Sequence, residues 1–276
     1  MNPVCVVHLA RARNGLTPFR IFVSSYRLHP AGMEHDLLVV LKGFGGGKEV
    51  LPFQKEVEAL GARTLAMSDF GLDLRAYYLA MRRFDYPHFC FLNSYAELLA
   101  DDWLAKMYSA IQNRGVGLVG ATGSGESMYT NALLQREDET SAAPLRRLAT
   151  AVRTGYCRLC FDPFPNYHIR TNAFLISRSI MLNVWPWSVP TKRSAYLFEN
   201  GKNNLTKRVS RSGLNALVVG RDGRAYARDQ WQASRTFRQQ EQENLLIADN
   251  QTREYSNANL EVRRRLSRSA WGDQLP

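Results

Sequence analysis

The chain predicts an α/β domain, a mostly parallel sheet flanked by helices, with a C-terminal extension. Two observations predict it. From Val4 to Val219, short apolar runs suited to buried strands alternate with segments of helical periodicity. In addition, 45% hydrophobic residues over 276 positions suffice for a sizeable core.

Val4–Leu9 reads as the first strand, Pro18–Leu28 as a helix and Asp36–Leu41 as a second strand. The following GFGGGKEVL lacks the spacing and the Ser/Thr of a phosphate loop and reads as a flexible turn. Phe53–Leu60 is helical, and Arg63–Met67 is a strand ending in Ser68-Asp69. Leu74, Tyr77, Tyr78 and Met81 recur at helical spacing, and the strand Phe89–Leu92 then halts at Asn93-Ser94-Tyr95. A helix over Leu98–Asn113 and a strand over Gly117–Ala121 follow. Glu126–Thr154 is polar, arginine-bearing and helical in part, whereas HIRTNAFLIS, His168–Ser177, alternates as one strand. Trp185-Pro186-Trp187-Ser188-Val189-Pro190 makes a rigid aromatic loop, Phe198–Gly213 a loop and a helix closed by a C-cap glycine, and Ala216–Val219 a last strand. From Phe237 the chain turns rich in glutamine and arginine, with no clear further core. Residues 1–236 are therefore expected to form the main domain and 237–276 a basic extension.

A net charge of +11 favours anionic partners: phosphorylated small molecules, acidic lipid surfaces or nucleic acid. No nucleic-acid-binding module is visible, so nucleic acid is the least favoured of these. No apolar run approaches the roughly 20 residues that span a bilayer. The N-terminus is apolar at once, as a first strand is and a signal peptide is not. A soluble, cytoplasmic protein is expected, with peripheral contact to anionic membrane through Arg263, Arg264, Arg265 and Arg268 as a further expectation. Cys5 and Cys90 lie in apolar runs as small core residues. Cys157 and Cys160 form a lone Cys-x-x-Cys with no second pair for zinc, leaving a redox pair as the alternative to packing.

Three blocks in order, FGLDLRAYYLAMRRFDY (70–86), FCFLNSYAELLADDWLAKM (89–107) and FENGKNNLTKRVSRSGLNALVV (198–219), resemble the GT-A glycosyltransferases. The likeness is to the family-2-like group and to the rhamnan-synthesis F-type proteins. It runs from residue 4 to residue 225, with Asn93-Ser94-Tyr95 where those enzymes carry Asp-x-Asp. It implies a nucleotide-sugar donor and a glycan or lipid-linked acceptor in bacterial surface polysaccharide synthesis, at the cell envelope.

In open α/β sheets ligands gather beyond the carboxyl ends of the strands. The resemblance places Asp69, Asp73, Arg75, Asn93 and Tyr95 at the donor. The first four have plainer alternatives: a helix N-cap for Asp69, a first-turn acid for Asp73, a solvated helix face for Arg75 and a turn residue for Asn93. Mg²⁺ or Mn²⁺ is implied too, but an amide and a phenol are weaker ligands than two carboxylates, and Glu97 stands at the wrong spacing to replace them. Arginines can neutralise a diphosphate instead. Glu199 is the expected catalytic base of an inverting transfer, its alternative being a cap of the next helix. His168, Arg170 and Asn172, alternating on one strand face, and Trp187 would line the acceptor cleft; a solvent face and packing anchors are the alternatives. Two other functions stay open: a catalytically silent glycan- or partner-binding relative, and a nucleotidyltransferase.

Overall fold

The computed structural model describes residues 2–71, 73–138, 144–185 and 191–272. β1 (Val4–Arg11) and β2 (Asp36–Lys42) are buried along nearly their whole length. Strands covered on both faces show no polar side, which is why they read as unbroken apolar runs. Between and after them come α1 (Leu16–Leu28), α2 (Leu51–Ala59), β3 (Arg63–Met67), α3 (Asp73–Arg83) and β4 (His88–Leu92). The chain continues through β5 (Glu97–Leu98), α4 (Trp103–Ile111), β6 (Val116–Gly120), β7 (Gly123–Ser124), α5 (Met128–Asp138) and α6 (Pro144–Cys160). β8 (His168–Ile169), β9 (Ala173–Ser177), α7 (Arg178–Val184), α8 (Lys192–Asn200), α9 (Leu205–Arg211) and β10 (Asn215–Val219) follow. The last elements are β11 (Ala225–Tyr226), β12 (Ile247–Ala248), α10 (Asn250–Asn257) and α11 (Leu260–Trp271).

Among the described residues the main sheet has eight strands in the order β11-β10-β6-β9-β4-β1-β2-β3. Six run parallel; β9 runs against them in the middle and β11 at one edge. Alternate side chains feed two cores. Val7, Leu9, Phe89, Phe91 and Phe174 pack with Leu74 and Tyr77 of α3, Phe198 of α8 and Val209 of α9. On the other face Val6, Val39, Leu92 and Leu175 pack with Phe19 and Phe22 of α1, Val57 of α2 and Trp103 of α4. Cys5 and Cys90 sit in these cores as free thiols.

Register brings the site together. Arg11 lies opposite Lys42, Lys42 opposite Met67, and His8 opposite Leu92, so the carboxyl ends of β1 to β4 share one edge. Because β9 is antiparallel, with Ala173 opposite Leu92, its amino end opens on that same edge.

Three expectations are corrected. The helix expected from Leu98 begins at Trp103: Leu98 pairs with Ile247 in a small sheet, and Asp102, at φ 59°, breaks the run. His168–Ser177 is not one strand. After Ile169 the chain turns at residues 170–172 and starts again as β9, pairing with different neighbours before and after. Finally, the chain beyond Phe237 does add to the core. Phe237, Ala270 and Trp271 join one face and Leu246 and Ile247 the other, with the Trp271 indole donating to the Phe237 carbonyl at 2.7 Å. These apolar residues stand among glutamines and arginines, without the period that marks a core in sequence. No helix among the described residues is long and apolar enough to cross a membrane.

Candidate functional site

At the shared edge opens a cleft lined by Asp73, Asn93, Glu126, His168, Arg170, Thr171, Asn172, Tyr196, Glu199, Asn200 and the start of α10. Six predicted residues meet there: Asp73, Asn93, His168, Arg170, Asn172 and Glu199. Asp69, Arg75 and Tyr95 stand outside its lining. Trp187 lies outside the described residues. Its neighbour Trp185 packs between Tyr78 and Phe198, centroids 5.0 Å from each.

Asn93 ends β4. Its amide donates to the Asn172 carbonyl at 2.8 Å, and its side-chain oxygen accepts from the Tyr95 amide at 3.0 Å, making an Asx turn. Asn172 in turn accepts from Thr122 Oγ1 at 2.8 Å, while its buried side-chain nitrogen finds no partner among the described residues. Buried amide nitrogens are rarely left so, and this one lines the cleft, where a polar ligand would satisfy it.

His168 and Arg170 reach the cleft by different routes than one strand face. His168 is buried, and its Nδ1 is within 2.8 Å of the Asn166 carbonyl; burial pushes it down to about 4, so it is neutral, with Nδ1–H as donor. Arg170 follows β8 in the turn. Its guanidinium meets Asp249 at 2.7 Å and Gln251 at 2.9 Å and lies over the Phe237 ring. Asp249 is the N-cap of α10, accepting from the Thr252 amide at 2.9 Å. Burial pushes the Asp249 carboxyl up, but Arg170 and the Thr252 cap outweigh this and hold it below its ordinary range.

Glu199 occupies the last turn of α8, not the start of the next helix, which Asn204 caps. It accepts a hydrogen bond from Thr171 Oγ1 at 2.6 Å. Desolvation pushes its carboxyl up to about 7, with the negative charge of Asp73 adding and the Thr171 hydroxyl and Arg170 opposing. A carboxylate poised there exchanges protons readily near neutral pH. Asp73, in the first turn of α3, is also raised by desolvation, against the pull of Arg11 and Lys42.

Cations gather beside Asp73. Arg11, at the end of β1, bonds Asp69 at 2.6 Å and stands 3.7 Å from Asp73. Lys42, at the end of β2, is fully buried and donates to the carbonyls of Phe70 and Gly71 at 3.0 and 2.6 Å. Its burial, with the charge of Arg11, lowers it to about 8. Gly43, at φ +81°, follows at once, and a Cβ there would lie 3.0 Å from that of Asp69. Arg75 lies over Phe70 and donates to its carbonyl.

A divalent metal at the end of β4 would need hard oxygen ligands, above all carboxylates. Asn93 already accepts from Tyr95, and Glu97 is held by Arg253 at 2.8 Å. Among the described residues no group of three or more His, Cys, Asp or Glu is placed to hold a metal. The residues at 93–95 therefore do not fit a carboxylate-held ion.

Sequence reasoning missed Arg11, Lys42, Glu126, Thr171 and Asp249. Only Asp249 carried a local signal, the N-cap pattern Asp249-Asn250-Gln251-Thr252. The others gain meaning from partners far along the chain, such as Asp69, 58 residues from Arg11.

No family model matches the chain, and no curated protein sequence does. Among solved structures it is similar to the mannosyltransferase PcManGT from Pyrobaculum calidifontis in complex with GDP-Man and Mn²⁺, at TM-score 0.49 and 11% identity. That likeness covers 85% of this chain but 60% of the other, so the chain spans less than two thirds of that protein. It is also similar to glucosyl-3-phosphoglycerate synthase from Mycobacterium tuberculosis in complex with Mn²⁺, UDP and glucosyl-3-phosphoglycerate. There the TM-score is 0.43 and the identity 15%, over 77% of this chain and 67% of that one. At these scores the likeness assigns no residue and no activity to the present chain.

Proposed function

We propose that the protein is a glycosyltransferase that moves a sugar from a nucleotide-sugar donor to a hydroxyl of a glycan or lipid-linked acceptor, with inversion. The observation that carries this is the meeting of Asp73, Asn93 and Glu199, from three distant segments, in one cleft at the carboxyl edge of the sheet. In the reaction the acceptor oxygen attacks the anomeric carbon while Glu199 takes the hydroxyl proton. The bond from that carbon to the diphosphate breaks, and its electron pair leaves with the nucleoside diphosphate. Arg11 and Lys42, beside Asp73 but behind the cleft lining, supply positive charge on the donor side, where residues 93–95 do not fit a carboxylate-held metal. Asn93 orients the donor, and Asn172, Arg170 and neutral His168 bound the acceptor side. A role in bacterial surface polysaccharide synthesis follows from the motif resemblance of residues 70–86, 89–107 and 198–219.

A thermal-shift screen of nucleoside diphosphates with and without Mn²⁺ tests donor binding. A ligand that binds only the folded chain raises its apparent stability with ligand concentration. At least one diphosphate should stabilise the chain with little added by Mn²⁺; a strict Mn²⁺ requirement overturns the assignment of the donor charge to Arg11 and Lys42.

A second function is favoured by one observation, the absence of a carboxylate pair at 93–95: a silent, glycan-binding member of the fold. Nucleotide-sugar binding without hydrolysis or transfer, across donors and acceptor extracts, would support it.

A further inference from the structure

We infer that α6 is a membrane-docking helix that seats the protein on an anionic lipid surface. Its exposed apolar residues are not scattered. Leu145, Leu148, Val152 and Leu159 are 83%, 63%, 66% and 77% exposed. At about 100° per residue they fall within an arc of about 60° on the helix. Leucines this exposed and this aligned make a stripe with no protein partner among the described residues. The opposite face is already used: Thr154 and Cys157 are buried, the latter with Phe161 and Ala132 of α5, so the stripe is not the face that holds the helix to the domain.

Charge identifies what covers the stripe. The segment PLRRLATAVRTGYCRLC holds four arginines and no acid. On the same helical projection Arg146 and Arg153 lie about 120° to one side of the stripe and Arg147 and Arg158 about 120° to the other. The stems of Arg147 and Arg158 are long enough to reach the headgroup level while the stripe enters the acyl boundary, and all four arginines add to the positive field there. An apolar stripe between basic flanks complements an anionic bilayer. An acidic partner without an apolar groove would leave the leucines uncovered, and a second copy of this helix would cover them only by bringing two strongly basic helices together.

Position gives the contact a use. The Cys160 carbonyl, at the end of α6, accepts from the Lys202 amide just past α8, the helix that carries Glu199. Leu197 of α8 packs against the α5–α6 cluster, and Arg193 of α8 lies over Tyr156 of α6. α5 starts at Met128, two residues after Glu126 of the cleft lining. A bilayer under α6 would therefore be joined, through that packing, to the helix that carries Glu199. That a lipid-linked acceptor enters from it rests on the proposed transfer; the docking itself does not. Of the C-terminal arginines, Arg263 is held by Glu241 at 2.6 Å, and Arg264 and Arg265 are a separate, purely electrostatic contribution, since their helix shows no such stripe.

Vesicle co-sedimentation of the full chain tests this, with phosphatidylglycerol–phosphatidylcholine vesicles against phosphatidylcholine alone. The wild type should bind the anionic vesicles, more weakly at high salt, and bind the neutral ones little. Combining Leu145→Ser, Leu148→Ser and Val152→Ser should cut bound protein at least about tenfold, since the acyl contact is lost while the charge remains. Arg264→Ser with Arg265→Ser should weaken binding only modestly. Hydrogen exchange on the wild type reads the same surface without substitution, and protection on vesicles should centre on residues 144–160. Three results overturn the proposal: no anionic-vesicle binding at low salt, vesicle protection elsewhere in the chain, or a concentration-dependent dimer that the triple variant abolishes. Transfer to a short, water-soluble acceptor should be unchanged in the triple variant, so loss of docking and failure of the transfer assignment are separately visible.

Discussion

Replacing Glu199 with Gln keeps the shape of the cleft wall and removes its proton acceptor. A positioned base contributes about 10²- to 10⁴-fold, so transfer should fall within that range while donor binding survives. The pH dependence is sharper. With its carboxyl near 7, wild-type Glu199 is protonated on the acid side and cannot accept. Its rate should drop about tenfold per pH unit below 7 and level off above it. The Gln variant should lack this limb.

Stability supplies an independent check of the same carboxyl. Its folded value, about 7, lies above its ordinary 4.5, so the folded state holds the proton more tightly. That contribution is full below about 4.5 and is lost as pH rises through 7. Gln resembles the protonated acid, and its variant should therefore be the more stable one at pH 8, by at most about 3 kcal/mol, with the gain shrinking towards pH 5. Rates of soluble-acceptor transfer from pH 5 to 9, with urea unfolding at pH 5 and 8, measure both. A variant within about threefold of wild type, or one that keeps the acid limb, refutes the assignment of Glu199 as base.

Thr171→Val removes the hydrogen bond that favours ionised Glu199, so the acid limb of the wild-type rate profile should move to higher pH; a limb shifted down or unmoved rejects that coupling. Asp249→Ala strips the partner from Arg170, whose side chain is only 9% exposed, and should cost about 3–5 kcal/mol in urea unfolding. A loss under about 1 kcal/mol would mean that Gln251 and water suffice. Asn93→Ala should weaken donor binding in a nucleoside-diphosphate titration before it slows transfer at saturating donor; the reverse order would place Asn93 away from the donor.

The order of strands and helices was legible in the residues because it is local. Val4–Arg11 and Asp36–Lys42 are apolar runs that only a doubly covered sheet can bury, and Asp73–Arg83 shows its buried face at helical spacing. Glu199 and Asn93 could be put forward as site residues because the resembling blocks 198–219 and 89–107 carry them, and Asn93 also ends an apolar run. What the chain did with those ends was decided by tertiary structure. Antiparallel insertion of β9 between β4 and β6 broke the apparent strand His168–Ser177 and turned Arg170 towards Asp249, 79 residues away. Only that long-range pairing made a buried ion pair out of an arginine and an N-cap. Burial likewise set the proton affinities of Glu199, His168 and Lys42, since desolvation depends on what packs around a group and not on its neighbours in sequence. The leucines of α6 mark the same divide. Their spacing is written in the residues, but that they face outward, with the opposite side of the helix against α5, is a fact of packing alone.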